Sequence, residues 1–169
     1  MQNSCLIKQI SKLSFLSLFI FGLTACGFQL RGSYAVPPNM QFICFDDGGK
    51  YDLGKALKQR LVHSKVSLIN DTASCVSLTI IDTKIERPVL SLFPNAQVAE
   101  YELNYQVFYS IQYPHEESAR TFTAQVARDY QDDPEAVLAK SKEMKLMLAE
   151  LRRHAAEQIV LQLASLDKR

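Results

Sequence analysis

The sequence predicts an α+β two-layer sandwich, with a four-stranded, mostly antiparallel sheet and two helices packed on one face of it. Two observations carry this prediction. In some long stretches apolar and polar residues alternate, and in two others apolar residues recur every three or four positions. The first pattern is typical of half-buried strands and the second of amphipathic helices. A chain of 169 residues suits one such domain.

The strand signal is strongest at residues 101–113, where every odd position is apolar or aromatic and every even position is polar except Phe108. Residues 75–85 alternate in the same way. Residues 121–126 follow a Pro-His-Glu-Glu segment, which predicts that they return as the second strand of a hairpin. Residues 41–45 form a short apolar strand before a turn of two aspartates and two glycines. These four segments make up the predicted sheet.

Two segments are predicted helices. Asp52 is expected to cap the first, whose apolar positions fall on one face between residues 53 and 61. In the second, Asp133 is the expected cap and Pro134 the first helical residue. The apolar stripe of this long helix consists of Val137, Ser141, Met144, Leu148, Leu151, Ala155, Ile159 and Leu163.

The N-terminus has the pattern of a secretory signal peptide at residues 1–25. Lys8 and Lys12 precede an uncharged run at residues 13–21. A membrane-spanning helix needs about 20 apolar residues, roughly twice this length, so a cleaved signal is favoured over a transmembrane anchor.

The signal ends in Leu23-Thr24-Ala25-Cys26, which resembles the lipobox of bacterial lipoproteins. We therefore expect cleavage before Cys26 and lipidation of its sulfur. The two or three acyl chains that result would anchor the protein stably, whereas one chain would not. The residue after Cys26 is Gly27. An aspartate at this position is the familiar signal that retains a lipoprotein in the inner membrane, so Gly27 predicts sorting to the outer membrane. Residues 26–39 contain Gly32 and two prolines and are predicted to be a tether, which leaves residues 40–166 as the periplasmic domain.

Composition argues against several functions. Removal of residues 1–25 leaves 18 acidic and 17 basic residues, a net charge of −1, which gives no reason to expect a nucleic-acid partner. The cysteines that remain besides Cys26 are Cys44 and Cys75. A disulfide is allowed in the periplasm, but two buried free thiols are the favoured interpretation. No metal-binding spacing is present, and no cofactor is expected.

The sequence also lacks the pattern of an enzyme. The three histidines are scattered along the chain, and the aspartate pairs at 46–47 and 132–133 suit a turn and a helix cap better than acid/base chemistry. Neither a P-loop nor a Gly-x-Ser-x-Gly segment is present. We therefore expect a protein that is not an enzyme.

Residues 87–98 follow neither period although they are rich in apolar side chains. Pro88 and Pro94 are expected to prevent ordinary strand pairing, so the segment is predicted to be an apolar loop between two strands. Such a loop often marks a partner surface. In the alternative interpretation, Leu90, Leu92 and Phe93 fold back against the sheet of their own domain.

With these features the chain resembles the LptE family of lipopolysaccharide-assembly lipoproteins. The resemblance rests on four segments: CGFQLRG at 26–32, SLF through Asn95 and Gln97 to AEY at 91–101, LAK at 138–140, and AAEQ at 155–158. The order of strands and helices also fits, so the resemblance covers nearly the whole chain after the signal. A different outer-membrane binding lipoprotein, such as a secretin pilot or a lipid-transporter accessory protein, is the alternative.

The resemblance implies a non-enzymatic partner of an LptD-like outer-membrane β-barrel. Such a protein would plug the barrel, help it assemble, and act with it to insert lipopolysaccharide into the outer leaflet. The residues that this implies for partner binding are Arg87, Leu90, Leu92, Phe93, Asn95 and Gln97. Lys140 matches a basic position through which family members bind lipopolysaccharide. The second basic position falls on Pro94, so Arg87 is the candidate replacement.

Overall fold

The computed structural model describes residues 36–70, 74–133 and 135–166. The predicted signal peptide, the lipidation residue Cys26 and most of the predicted tether lie outside the described residues. Val36 and Met40 are already buried in the core. None of the helices in the described ranges is both long and apolar enough to cross a membrane.

The described residues form two α-helices and six strands after a short 3-10 turn at Pro38–Met40. In chain order they are β1 (Phe42–Asp46), α1 (Tyr51–His63), β2 (Ser67–Leu68), β3 (Val76–Glu86), β4 (Val89–Leu92), β5 (Val98–Gln112), β6 (Arg120–Gln131) and α2 (Val137–Ser165). The predicted α+β two-layer architecture is confirmed. The sheet has six strands rather than four, because β2 and β4 are too short to show a period in the sequence.

The sheet is centred on the long strand β5. One edge of β5 pairs antiparallel with β6 over residues 100–111. The other edge pairs antiparallel with β4 at the start of β5 and with β3 along the rest of it. Strand β1 lies on the far side of β3 and runs parallel to both β3 and β2. Most of the ladder is therefore antiparallel, as predicted, with a parallel part at one side.

The alternation in β5 predicts its buried face correctly. Leu103, Tyr105, Val107, Tyr109 and Ile111 are all buried in one core with the helices. In β3 the period breaks, because the register with β5 shifts between Ile80 and Asp82. The extra residue of this bulge, Ile81, is half exposed, and its insertion moves the following odd positions onto the helix side.

Helix α1 contributes Leu53, Leu57 and Leu61 to the core, as its spacing predicts. The predicted cap is wrong: the helix begins after Lys50, no side chain caps it, and Asp52 lies inside the first turn. An acidic residue there still interacts favourably with the helix dipole.

Helix α2 buries the second half of its predicted stripe, from Leu151 to Leu163, but Val137 at its start is exposed. It begins three residues later than predicted, because Asp133 closes a separate turn. The Asp133 carboxylate accepts the Glu135 N–H at 3.0 Å, and its carbonyl accepts the Ala136 N–H at 3.1 Å. The first turns of α2 therefore extend beyond the core.

Cys44 and Cys75 form a disulfide, with their Cα atoms 5.6 Å apart. The expectation of two free thiols is wrong. Cys44 lies in β1 and Cys75 directly precedes β3, and these strands are hydrogen-bonded neighbours. Parallel pairing of β1 with β3 is what brings the two sulfurs together, although 31 residues separate them in sequence.

A partly buried hydrogen-bond relay ties α2 to the sheet. The hydroxyl of Tyr109 donates to Gln162 Oε1 at 2.6 Å, and Gln162 Nε2 donates to the carbonyl of Thr123 at 3.0 Å. One glutamine thereby links the centre of β5, the edge strand β6 and the last helix.

Candidate functional site

The segment predicted to be an apolar loop is a β-hairpin. Residues 89–92 pair antiparallel with the start of β5, so the expectation that the prolines would prevent pairing is wrong. Pro88 precedes the short strand and Pro94 lies in the turn after it, so neither removes a donor from the ladder. The prolines bound the strand rather than interrupt it.

The apolar side chains of this hairpin do not fold back against the sheet. Val89, Leu90 and Leu92 are 50%, 49% and 58% exposed, and Phe93 is 40% exposed. Four large apolar side chains within five consecutive residues are thus exposed at the tip of the sheet. We call these four residues the hairpin patch.

The turn of the hairpin is held by its own polar groups. The Phe93 N–H donates to the Gln97 carbonyl at 2.8 Å, and the Ala96 N–H donates to the Phe93 carbonyl at 2.9 Å. Asn95 Nδ2 donates to Gln97 Oε1 at 2.9 Å, and Asn95 Oδ1 accepts the Gln97 N–H at 3.2 Å. Asn95 and Gln97, two of the predicted partner-binding residues, therefore shape the turn that presents the hairpin patch.

Arg87 and Lys140, the two predicted lipopolysaccharide-binding residues, line one cleft of about 440 Å³. Arg87 lies just before β4, and Lys140 lies in the first turn of α2. The other lining residues are Tyr101, Tyr130, Asp132, Asp133, Val137, Ser141 and Met144. The fold thus brings two cations that are far apart in the sequence to the same cleft.

Lys140 is held by the wall of this cleft. Its Nζ donates to the Gln131 carbonyl at 2.7 Å and to Glu143 Oε2 at 3.0 Å, and it lies 5.2 Å from the centre of the Tyr130 ring. The hydrogen bond that Lys140 donates to the Glu143 carboxylate is the main cause that raises the pKa of Lys140 above its ordinary value. The ammonium group is therefore oriented by its neighbours and partly neutralised.

The cleft is lined by both apolar and charged side chains. Tyr130 is buried, and desolvation is the main cause that raises the pKa of its hydroxyl. That hydroxyl donates to the Lys140 carbonyl at 3.3 Å. Arg87 takes part in none of the ion pairs found within the described ranges, so its guanidinium is available to an anion. The arrangement suits a ligand with an anionic group and an apolar part.

Sequence reasoning missed the aromatic floor of the cleft. Tyr101, the first member of the predicted apolar face of β5, is partly buried against the core and also lines the cleft. Tyr130 falls outside the strand predicted at 121–126. The described residues contain no group of three or more histidine, cysteine or acidic side chains that could hold a metal ion.

Comparison with known proteins identifies relatives over most of the chain. The family model LptE, described as lipopolysaccharide-assembly, matches residues 35–163. A relative named LPS-assembly lipoprotein LptE from Pectobacterium atrosepticum is 29% identical over 155 residues, which cover 90% of this chain and 84% of the relative. A protein of the same name from Yersinia enterocolitica is 30% identical over 151 residues, which cover 88% and 72%.

Solved structures agree with this match. The rare lipoprotein B from Shewanella oneidensis is 34% identical and superposes with a TM-score of 0.68, covering 75% of this chain and 96% of that one. An uncharacterized lipoprotein B from Nitrosomonas europaea, at 22% identity and a TM-score of 0.66, shares the fold. The resemblance seen in the sequence is confirmed, and the chain belongs to the LptE family of lipopolysaccharide-assembly lipoproteins.

Proposed function

We propose that this chain is the lipoprotein partner of an LptD-like outer-membrane β-barrel. It plugs and helps to assemble that barrel, and the pair inserts lipopolysaccharide into the outer leaflet. The chain performs no catalysis in this role, and lipid on Cys26 holds it at the outer membrane. The name of its relatives, LPS-assembly lipoprotein, supports the process, and the hairpin patch supports the barrel partnership.

The hairpin patch is the observation that carries the proposal. Four exposed apolar side chains on one short hairpin do not stabilise the monomer, because they stay in contact with water. Their burial against a partner removes this apolar surface from water and is favourable. The turn is restrained by the Asn95–Gln97 hydrogen bonds, so little ordering entropy is lost on docking. Phe93 is the natural anchor, because buried aromatic side chains commonly dominate interfaces.

The cleft that joins Arg87 to Lys140 supports a second part of the same role, which is direct contact with lipopolysaccharide. Its two cations can meet a phosphate, and Tyr101, Tyr130 and Met144 offer an apolar wall beside it. Arg87 supplies the free charge, because Lys140 is already engaged by Glu143. Arg87 thereby replaces the cation that Pro94 removes from the hairpin turn.

Co-purification tests the barrel partnership. The tagged full-length chain, solubilised in detergent, is expected to bring down an LptD-like barrel, and Phe93→Asp should reduce the recovered barrel by roughly tenfold or more. Val62→Asp is the matched control, since Val62 is 61% exposed on α1, outside the hairpin patch. If the wild-type chain recovers no barrel, or if both variants recover as much as wild type, the proposal is wrong.

A further inference from the structure

The outward face of the first half of α2 carries a second unusual surface. Its members recur every three or four positions and are all exposed: Leu138, Lys142, Lys145, Leu146, Ala149 and Arg153. Leu138 is 83% exposed and Leu146 is 72% exposed. We call these six residues the basic strip. It contains three cations and two large apolar side chains, and no carboxylate lies among them.

The carboxylates of α2 are engaged elsewhere. Each of the three makes an ion pair with a cation outside the basic strip: Glu143 with Lys140, Glu150 with Arg128, and Glu157 with Arg60. None of the ion pairs within the described ranges includes Lys142, Lys145 or Arg153. The charge of the basic strip is therefore uncompensated by its own helix.

Charge is also divided between the two layers of the fold. Each helix has a net charge of +2, from three cations and one carboxylate in α1 and from five cations and three carboxylates in α2. Residues 76–133, which hold the four strands β3 to β6, carry nine carboxylates and four cations, a net charge of −5. The helix layer thus presents a positive surface and the strand layer a negative one.

We propose that the basic strip binds the surface of a bilayer that contains anionic phospholipids. On such a face the leucines can enter the acyl boundary of a bilayer while the neighbouring cations meet headgroup phosphates. Lysine and arginine suit this place, because their apolar stems can lie along the leucines while their charges stay in water.

The division of charge sets the orientation of this contact, because an anionic surface attracts the helix layer and repels the strand layer. Arg153 also lines a groove with Arg60 and His63 of α1, in which Glu157 pairs with Arg60. The inference concerns the lipid-anchored domain before it enters the barrel, and it relies on the proposed lipid anchor only for keeping the domain near a membrane. It concerns a different surface from the hairpin patch.

Vesicle flotation tests the inference with the isolated domain, residues 36–169. The Shewanella oneidensis structure matches 75% of this chain over 96% of its own length, so the corresponding part of a relative folds by itself. The domain should float with vesicles of phosphatidylglycerol and phosphatidylethanolamine but not with phosphatidylcholine vesicles, and added salt should weaken the binding. The double variant Lys142→Glu/Lys145→Glu should bind the anionic vesicles roughly tenfold or more weakly.

Two further variants separate the contributions of charge and apolar contact. Leu138→Ser/Leu146→Ser should also weaken binding to anionic vesicles, whereas Lys84→Glu, an exposed charge reversal in the strand layer, should not. Equal binding to neutral vesicles, or unchanged binding of the lysine variant, would overturn the inference. Loss of barrel recovery by the lysine variant, without vesicle binding by wild type, would instead assign the basic strip to the protein partner. Phe93→Asp reports separately on the hairpin patch.

Discussion

The ammonium group of Lys140 lies 3.0 Å from a carboxylate oxygen of Glu143, so this lysine is paired before any ligand arrives. A phosphate that binds Lys140 must compete with that carboxylate. Glu143→Gln should therefore raise the affinity of the isolated domain for lipopolysaccharide, and Lys140→Glu should lower it. Each change should stay within about fivefold, because partly exposed ion pairs contribute roughly 0–1 kcal/mol.

Titration of the domain with purified lipopolysaccharide measures both changes, and Glu150→Gln is the matched control on the same helix. Lys140→Glu should also leave barrel recovery intact, because the hairpin patch carries that contact. Tighter binding by Lys140→Glu, or no change in either variant, would remove Lys140 from the lipopolysaccharide site.

Two leucines of α2 test which face of this helix is buried in the core. Leu151 is 1% exposed and Leu146 is 72% exposed. Leu151→Asp should unfold the domain, because an unpaired buried carboxylate costs several kcal/mol. Leu146→Asp should leave the melting temperature nearly unchanged. A thermal melt followed by circular dichroism distinguishes them, and equal melting temperatures would mean that the buried face of α2 is misassigned.

The disulfide should contribute much of the stability of the domain. A bridge across 31 residues stabilises the folded state by about 3–4 kcal/mol in the chain-entropy account. The double variant Cys44→Ser/Cys75→Ser should therefore melt roughly 10 °C or more below wild type. Wild type treated with a reductant should move toward the same value. If reduction leaves the melting temperature unchanged, the two strands are held without help from the bridge.

Burial of Tyr109 should make the fold sensitive to alkali. Desolvation raises the pKa of its hydroxyl well above the ordinary value of 10.0. The neutral form is therefore favoured in the folded state, and this stabilisation is complete below pH 10 and is lost as the pH rises above it. The free energy of unfolding should fall more steeply above about pH 10 in wild type than in Tyr109→Phe. Parallel curves for the two proteins would contradict this.

The sequence predicts the parts of the fold whose pattern is long. Thirteen alternating positions at residues 101–113 reveal β5 and its buried face, because no other structure gives a period of two over that length. The bulge at Ile81 leaves no signal, since inserting one residue only changes which later positions point inward. The disulfide was also hidden, because it depends on β1 and β3 being parallel neighbours.

The sequence predicts which residues belong to the candidate site, but it does not predict how the fold arranges them. The apolar composition of residues 87–98 marks a surface feature, but the pairing of β4 with β5 depends on where the prolines fall. The resemblance points to Arg87 and Lys140, and only the fold places them on one cleft. Glu143 lies three residues after Lys140 on α2, and this spacing by itself indicates an ion pair on a helix.

The central claim is that the hairpin patch docks on an LptD-like barrel, and site-specific photo-crosslinking in intact cells tests it most directly. A photoreactive amino acid replaces Phe93 in one full-length chain and Val62 on α1 in another. The account predicts that illumination crosslinks position 93 to the barrel and that position 62 gives much less product. A barrel crosslink from position 62 with none from position 93 would contradict the claim and move the partner surface to the helix layer.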